Sequence, residues 1–328
     1  MKKIQGSFRP PVYRSDRGDI CLNRIQTLDK KLSAGKKITW GPKRLTNSKS
    51  ESVPVDGLSV RFQHAGSGPA MVLVHGLLAY SFSWRFALPL FAHEREVFAL
   101  DMPGSGLSDL DRTLDCTVEA AAGRLARFMD AVGIRSCDLI GSSFGGTTSL
   151  MLATRQPDRL RTLTLISPAN PWSRIGRKRL LLLKISILGS LFPPVARAFH
   201  PLSGYFLRRM YGDPRAVTEQ AIRGYSLPLG RPGVLEHGVK IAQAWYASMA
   251  QLERALPAAA GIPTLLIWGS KDRLVDQASV EILRQKLNAK LTIMPGAGHL
   301  PFEEYSREFC QDVLMFLAEH PGRLLDGK

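Results

Sequence analysis

Three short stretches carry residue types that could do chemistry together. The first is Gly141-Ser142-Ser143-Phe144-Gly145-Gly146, a Gly-x-Ser-x-Gly pattern directly after the apolar run Cys137-Asp138-Leu139-Ile140. The order strand, pattern, helix start predicts a sharp turn with Ser143 at its apex. Flanking glycines are needed there because larger side chains would collide with the neighbouring strand and helix. The second stretch is Gly269-Ser270-Lys271-Asp272, and the third is Pro295-Gly296-Ala297-Gly298-His299. A serine hydroxyl is a poor nucleophile at neutral pH. It needs a general base, and a histidine base needs a carboxylate that fixes its tautomer and stabilises its charged form. The chemistry predicted is therefore nucleophilic attack on a carbonyl: Ser143 attacks, His299 moves the proton, and Asp272 holds His299.

Each of the three follows an apolar run of strand length. Parallel α/β sheets bring such positions to one edge, at the carboxyl ends of the strands. The order Ser, Asp, His is the one this type of turn expects. Asp276 and Glu303 compete with Asp272 as the acid; Asp276 is also a helix N-cap candidate. His64, His75, His93, His200, His237 and His320 are further histidines, but only His299 lies in a Gly-rich turn just past a terminal strand. A developing oxyanion needs backbone donors. Phe144 supplies one N–H at a helix N-terminus, and Leu77, in the loop His75-Gly76-Leu77 after an early strand, supplies the second. His75 itself reads as a loop-shaping residue. The reaction needs no metal and no organic cofactor.

The elements that must position these residues alternate. The segment 58–62 alternates like a half-buried strand, 70–74 and 97–100 are buried strands, and 137–140 and 163–166 are further strands, with helices between them. A helix is expected over 117–132, with Val118, Ala121, Leu125, Phe128 and Val132 on one face. The alternation stops at Ser167 and resumes at Pro263 with strands 264–268 and 291–294, a helix over 277–287 and a last helix over 301–319. This pattern implies right-handed crossovers and a mainly parallel sheet. The expected organisation is a polar, basic, flexible extension over 1–52, a core over 53–167 and 258–328, and an inserted helical cap over 168–257. A short amphipathic helix is expected over 20–32.

Composition bounds the rest. The chain has 328 residues, 45% hydrophobic and 22% charged, which suits a globular protein with a sizeable core. Cys21, Cys116, Cys137 and Cys310 form no C-x-x-C pair and no zinc-ligand spacing with histidine, so a reducing, cytoplasmic setting is expected. No secretory signal is visible, because no apolar run follows Met1-Lys2-Lys3. The net charge of +16 is regional: residues 1–50 hold 13 Lys and Arg against three Asp, and residues 171–215 hold nine against Asp213. Such basicity suggests an acidic partner surface. Residues 180–192 are the most apolar run, with Arg174, Arg177, Lys178 and Arg179 before it. That run is too short to span a bilayer. It reads as a cap helix over the site, with peripheral docking on anionic membrane as the alternative. Nucleic acid is disfavoured, since the basic stretches lack aromatic interleaving or a known motif.

From about residue 53 to 317 the chain resembles the α/β-hydrolase fold superfamily, in its large esterase, epoxide-hydrolase and dehalogenase-like branch. The matching pieces are His75-Gly76, Ser83-Trp84-Arg85, Asp101-x-Pro103-Gly104-x-Gly106-x-Ser108, Gly141-x-Ser143-x-Gly145-Gly146, Trp268-Gly269-x-x-Asp272 and Gly298-His299. The resemblance implies a serine-nucleophile enzyme with a cap. Epoxide hydrolases and haloalkane dehalogenases of this branch use Asp as nucleophile, so Ser143 argues against both. Its carbon–carbon bond hydrolases usually carry Asn before the serine and Trp after the histidine, where this chain has Ser142 and Leu300. Ser142 also replaces a His common in esterases. The expected function is hydrolysis of carboxylic esters, with hydrophobic acyl groups, through an acyl-enzyme. An acyltransferase, a perhydrolase or a carbon–carbon bond hydrolase could use the same three residues. A non-catalytic ligand-binding or membrane-associated member of the fold is the alternative of another class.

Overall fold

A computed structural model describes residues 48–173 and 203–321, all within one unit, residues 41–328. The expectations for residues 1–47, for the helix over 20–32 and for the basic and apolar run over 174–192 fall outside the described residues.

Among the described residues, eight strands form one sheet: β1 (Lys49–Val55), β2 (Leu58–Ala65), β3 (Ala70–Val74), β4 (Glu96–Leu100), β5 (Cys137–Ser142), β6 (Leu160–Ile166), β7 (Thr264–Gly269) and β8 (Lys290–Met294). Their order is β1-β2-β4-β3-β5-β6-β7-β8. The β1–β2 and β2–β4 pairs are antiparallel and all others parallel. This is an α/β fold with a mainly parallel central sheet. Strands β5 and β7 are buried at every position, as expected of continuous apolar runs covered by helices on both faces. Strand β2 alternates instead, turning Val60 and Phe62 inward and Ser59 and Arg61 outward.

Strand β1 begins at Lys49, inside the stretch read from sequence as an extension ending at residue 52. Its residues are almost all exposed, so no apolar alternation announces it. What makes it a strand is the hairpin: Val55 pairs with Leu58 across Asp56-Gly57, whose φ angles of 52° and 79° suit a two-residue turn with positive φ at both positions.

Helices flank the sheet. Helix α1 (Val118–Ala131) starts at Thr117, whose hydroxyl accepts from Ala120 N–H at 3.2 Å. Helix α2 (Phe144–Arg155) leaves β5 through Ser143. Among the described residues, three α-helices lie between β6 and β7: α3 (Ser203–Met210), α4 (Glu219–Ser226) and the long α5 (Val234–Ala255). Ile241, Met249 and Leu252 of α5 join the main apolar core, and α5 packs against α1 and α2. Helix α6 (Ala278–Leu287) precedes β8. The single helix expected over 301–319 is two pieces: a turn, Pro301–Glu304, and α7 (Ser306–Glu319), with Tyr305 at φ −136° between them. Among the described residues no helix is long and apolar enough to cross a membrane.

Candidate active site

Ser143 stands between β5 and α2 with φ 53° and ψ −120°, a backbone conformation that non-glycine residues rarely hold. Neighbouring backbone imposes it. Ser143 N–H donates to Ile166 O at 2.9 Å, and Ser143 O accepts from Thr147 N–H at 3.0 Å and Ala169 N–H at 3.3 Å. The turn is closed enough that a Cβ on Gly145 would sit 2.3 Å from His75 O. The glycine is therefore a steric requirement, and it lets the Ser143 turn approach the loop after β3.

That loop is held by His75. Nδ1–H donates to Gly76 O at 2.8 Å, while Nε2 accepts from Met102 N–H at 3.0 Å. Burial lowers its pKa, against the opposing pull of Asp101 and the Gly76 carbonyl. Both ring nitrogens are committed to backbone, so His75 shapes the loop. Among the described residues, no acceptor is bonded to Leu77 N–H or Phe144 N–H.

Backbone bonds run from Ser143 across to the later strand ends: Ser143 N–H to Ile166 O at 2.9 Å, Ser167 N–H to Ile267 O at 3.0 Å, and Ser270 N–H to Met294 O at 3.0 Å. Asp272 follows β7 and His299 follows β8, and the two side chains meet. His299 Nδ1 and Asp272 Oδ2 are 2.8 Å apart, with side-chain exposures of 3% and 0%. Asp272 Oδ1 accepts from Leu274 N–H at 2.8 Å and Val275 N–H at 3.2 Å. Burial pushes the Asp272 pKa up, but the His299 charge and these hydrogen bonds together hold it below the ordinary carboxylate value. A carboxylate on Nδ1 leaves Nε2 as the ring nitrogen available for proton transfer. Among the described residues no hydrogen bond joins Ser143 Oγ to His299; bonds of this kind commonly tighten only around substrate.

The competing acids are engaged elsewhere. Asp276 Oδ1 accepts from Ala278 N–H at 2.9 Å at the start of α6. Glu303 is buried among Arg85, Tyr211 and Tyr225. Arg85 donates to it twice, at 2.5 and 2.9 Å, Tyr211 donates at 2.5 Å, and the Tyr225 hydroxyl donates as well. Arg85 also lies 4.1 Å over the Phe82 ring. This cluster explains Ser83-Trp84-Arg85: it ties the segment after the Leu77 loop to the segment after His299 and to α3 and α4. Glu304 adds a second tie, accepting from Gly298 N–H and Gly212 N–H, each at 2.7 Å. His299 N–H donates to Met210 O at 2.6 Å. No local pattern could reveal these partners, since Arg85 and Glu303 are 218 positions apart. Removing one member of such a buried ion cluster strands the other charge. Glu303→Ala is expected to lower stability by about 3–5 kcal/mol, measurable by denaturant titration. Arg85→Met with Glu303→Met is expected to lose less than the two single changes together, because no buried charge is left unpartnered.

Beside Phe144, a recess is lined by His75, Met102, Cys116, Arg124, His237 and other residues. His237 packs against Gly104, and its Nδ1 lies 3.4 Å from Cys116 Sγ. Burial first, then the charges of Arg124 and Lys240, push its pKa down from 6.5 to about 4. The unfolded chain therefore binds a proton that the folded chain refuses between those values, and stability falls as pH drops through that window. The contribution is on the order of 3 kcal/mol when complete. Denaturant midpoints measured from neutral pH down to about 4 should fall less steeply for His237→Asn than for the parent.

Residues 69–305 match the family model described as alpha/beta hydrolase fold. A 2-hydroxymuconate semialdehyde hydrolase from Pseudomonas sp. (strain CF600) is 30% identical over 279 residues, covering 80% of this chain and 92% of that protein. The dihydrolipoyllysine-residue acetyltransferase component of the acetoin cleaving system from Cupriavidus necator is 28% identical over 78% of this chain. The matched region spans only 65% of that protein's length. Among solved structures, a membrane phospholipase A described as a bacterial virulence factor superposes with TM-score 0.70 at 26% identity, covering 92% of this chain and 91% of the other. With the family model matching most of its length over a sheet of this order, the chain belongs to the alpha/beta hydrolase fold family.

Proposed function

We propose that this hydrolase-family chain cleaves carboxylic esters with hydrophobic acyl groups through an acyl-enzyme on Ser143. The observation that carries the reading is the buried 2.8 Å contact of Asp272 with His299 Nδ1, on the same sheet edge as a strained serine. His299 Nε2 takes the Ser143 proton, and the alkoxide attacks the ester carbonyl carbon. The Leu77 and Phe144 N–H groups hold the oxyanion. The intermediate collapses, and the alcohol leaves with the proton from His299. Water then gives a proton to His299 and attacks the acyl group; Ser143 recovers its proton as the acid departs. Asp272 keeps the imidazole oriented and stabilises its charged form in each half.

The ester preference draws on the phospholipase A likeness at 26% identity and on a pimeloyl-[acyl-carrier protein] methyl ester esterase from Aeromonas hydrophila at 25% identity. The test is turnover of p-nitrophenyl esters of rising chain length, with a burst of one nitrophenolate per active chain before steady state. Carbon–carbon bond hydrolysis is the second reading, favoured by the 30% identical relative. Direct competition between an ester and a ring-cleavage dienoate separates the two, since the preferred class will show the higher kcat/KM.

A further inference from the structure

Helix α3 turns an aromatic pair outward. Tyr205 and Phe206 are 54% and 60% exposed, whereas Gly204 and Leu207 on the other side are buried. Their rings meet edge to face with centroids 5.7 Å apart, so they project as one unit. Leu227, also 60% exposed, caps the end of the neighbouring helix α4. The Ser203 and Ser226 hydroxyls are hydrogen-bonded at 2.7 Å, which ties the start of α3 to the end of α4, immediately before Leu227. Cations frame these side chains. Arg209 lies 5.9 Å over the Tyr205 ring, and Arg223 is exposed on α4. Among the described residues neither has an acidic partner, while Arg208 pairs with Glu219 at 3.5 Å.

Single exposed apolar side chains are ordinary, but an aromatic pair with an exposed leucine and arginines is what a bilayer interface accepts. The rings enter the boundary of headgroups and acyl chains, and the arginines stay with anionic headgroups. The patch also lies close in the chain to the site. Met210, the last residue of α3, accepts from His299 N–H at 2.6 Å, and Tyr211 donates to Glu303 at 2.5 Å.

We propose that the face formed by Tyr205, Phe206, Leu227, Arg209 and Arg223 docks on an anionic lipid bilayer. Charge complementarity selects this occupant: Arg209 and Arg223 have no acidic partner among the described residues, and α3 lies in the basic stretch 171–215. The proposal rests on the ester reading only in naming where a hydrophobic substrate is met; docking itself does not require that Ser143 be the nucleophile.

The experiment sediments the full chain with phosphatidylcholine vesicles, with and without phosphatidylglycerol, at low and high salt. It uses a Ser143→Ala background so that no lipid is consumed, and it reads binding rather than turnover. The expected result is binding that favours phosphatidylglycerol, and a roughly tenfold weaker partition for Tyr205→Ser with Phe206→Ser. Arg209→Glu with Arg223→Glu should remove the lipid preference. Unchanged melting temperatures certify that the exposed substitutions leave the fold intact. Three results overturn the proposal: no vesicle binding by the parent, equal binding by the double serine variant at both salts, or an aromatic-dependent self-association in sedimentation velocity that marks a second copy as the occupant.

Discussion

Ser143→Ala is expected to abolish ester turnover, lowering kcat by about 10⁶-fold, with little change in thermal stability. The two halves of this expectation have separate physical grounds. Chemistry stops because the acyl bond forms on Ser143 Oγ, and the neighbouring hydroxyl of Ser142 is buried. Stability persists because Ser143 Oγ makes no hydrogen bond among the described residues, and Ala keeps the Cβ that already lies 3.3 Å from where a Cβ on Gly76 would be. The backbone bonds that impose the strained turn come from Ser143 N–H and C=O, which the substitution retains. A circular-dichroism melt alongside steady-state kinetics reads both. A variant with parental turnover would remove Ser143 from the mechanism; a variant that fails to fold would contradict the structural half.

Asp272→Asn carries the second large effect, a loss in kcat of about 10⁴-fold. Asn can still accept from Leu274 N–H and Val275 N–H through its carbonyl oxygen, so the loop after β7 has no reason to move. The atom facing His299 Nδ1 is what changes. An amide N–H there would force the proton onto Nε2, leaving the ring unable to take one from Ser143. Charge is lost as well: the buried carboxylate, held below its usual pKa by His299 and its hydrogen bonds, is the group that stabilises the imidazolium. The signature is a fall in kcat with KM little changed, because Asp272 touches the histidine and not the substrate. A raised KM with unaltered kcat would point instead to a binding role.

What the sequence disclosed and what it hid divide along physical lines. Gly141-x-Ser143-x-Gly145, Asp272 and His299 could be picked out because each closely follows a largely apolar run of strand length, and a parallel sheet brings such ends to one edge. The buried strands were legible for the same reason. Strand β1 was not, because only Val53 and Val55 at its end turn inward; the Asp56-Gly57 pair was the local signal of its hairpin. The break at Tyr305 was hidden inside a run whose apolar spacing continues on either side of it. The Glu303 cluster was invisible for a different reason. Its partners come from a loop near residue 85, from the residue after α3 and from α4, and nothing in the local pattern encodes a contact across 218 positions. Sequence left Glu303 open as an acid for His299; its carboxylate oxygens are instead occupied by Arg85, Tyr211 and Tyr225.

The central claim is that the hydroxyl of Ser143 is made nucleophilic by His299. A fluorophosphonate probe reacts with an activated serine and leaves a stable phosphonyl adduct that peptide mass spectrometry can place. One adduct per chain on the peptide containing Ser143, lost in His299→Ala, is the result this account predicts. Absence of labelling in the folded parent protein, or labelling that survives His299→Ala undiminished, would contradict it.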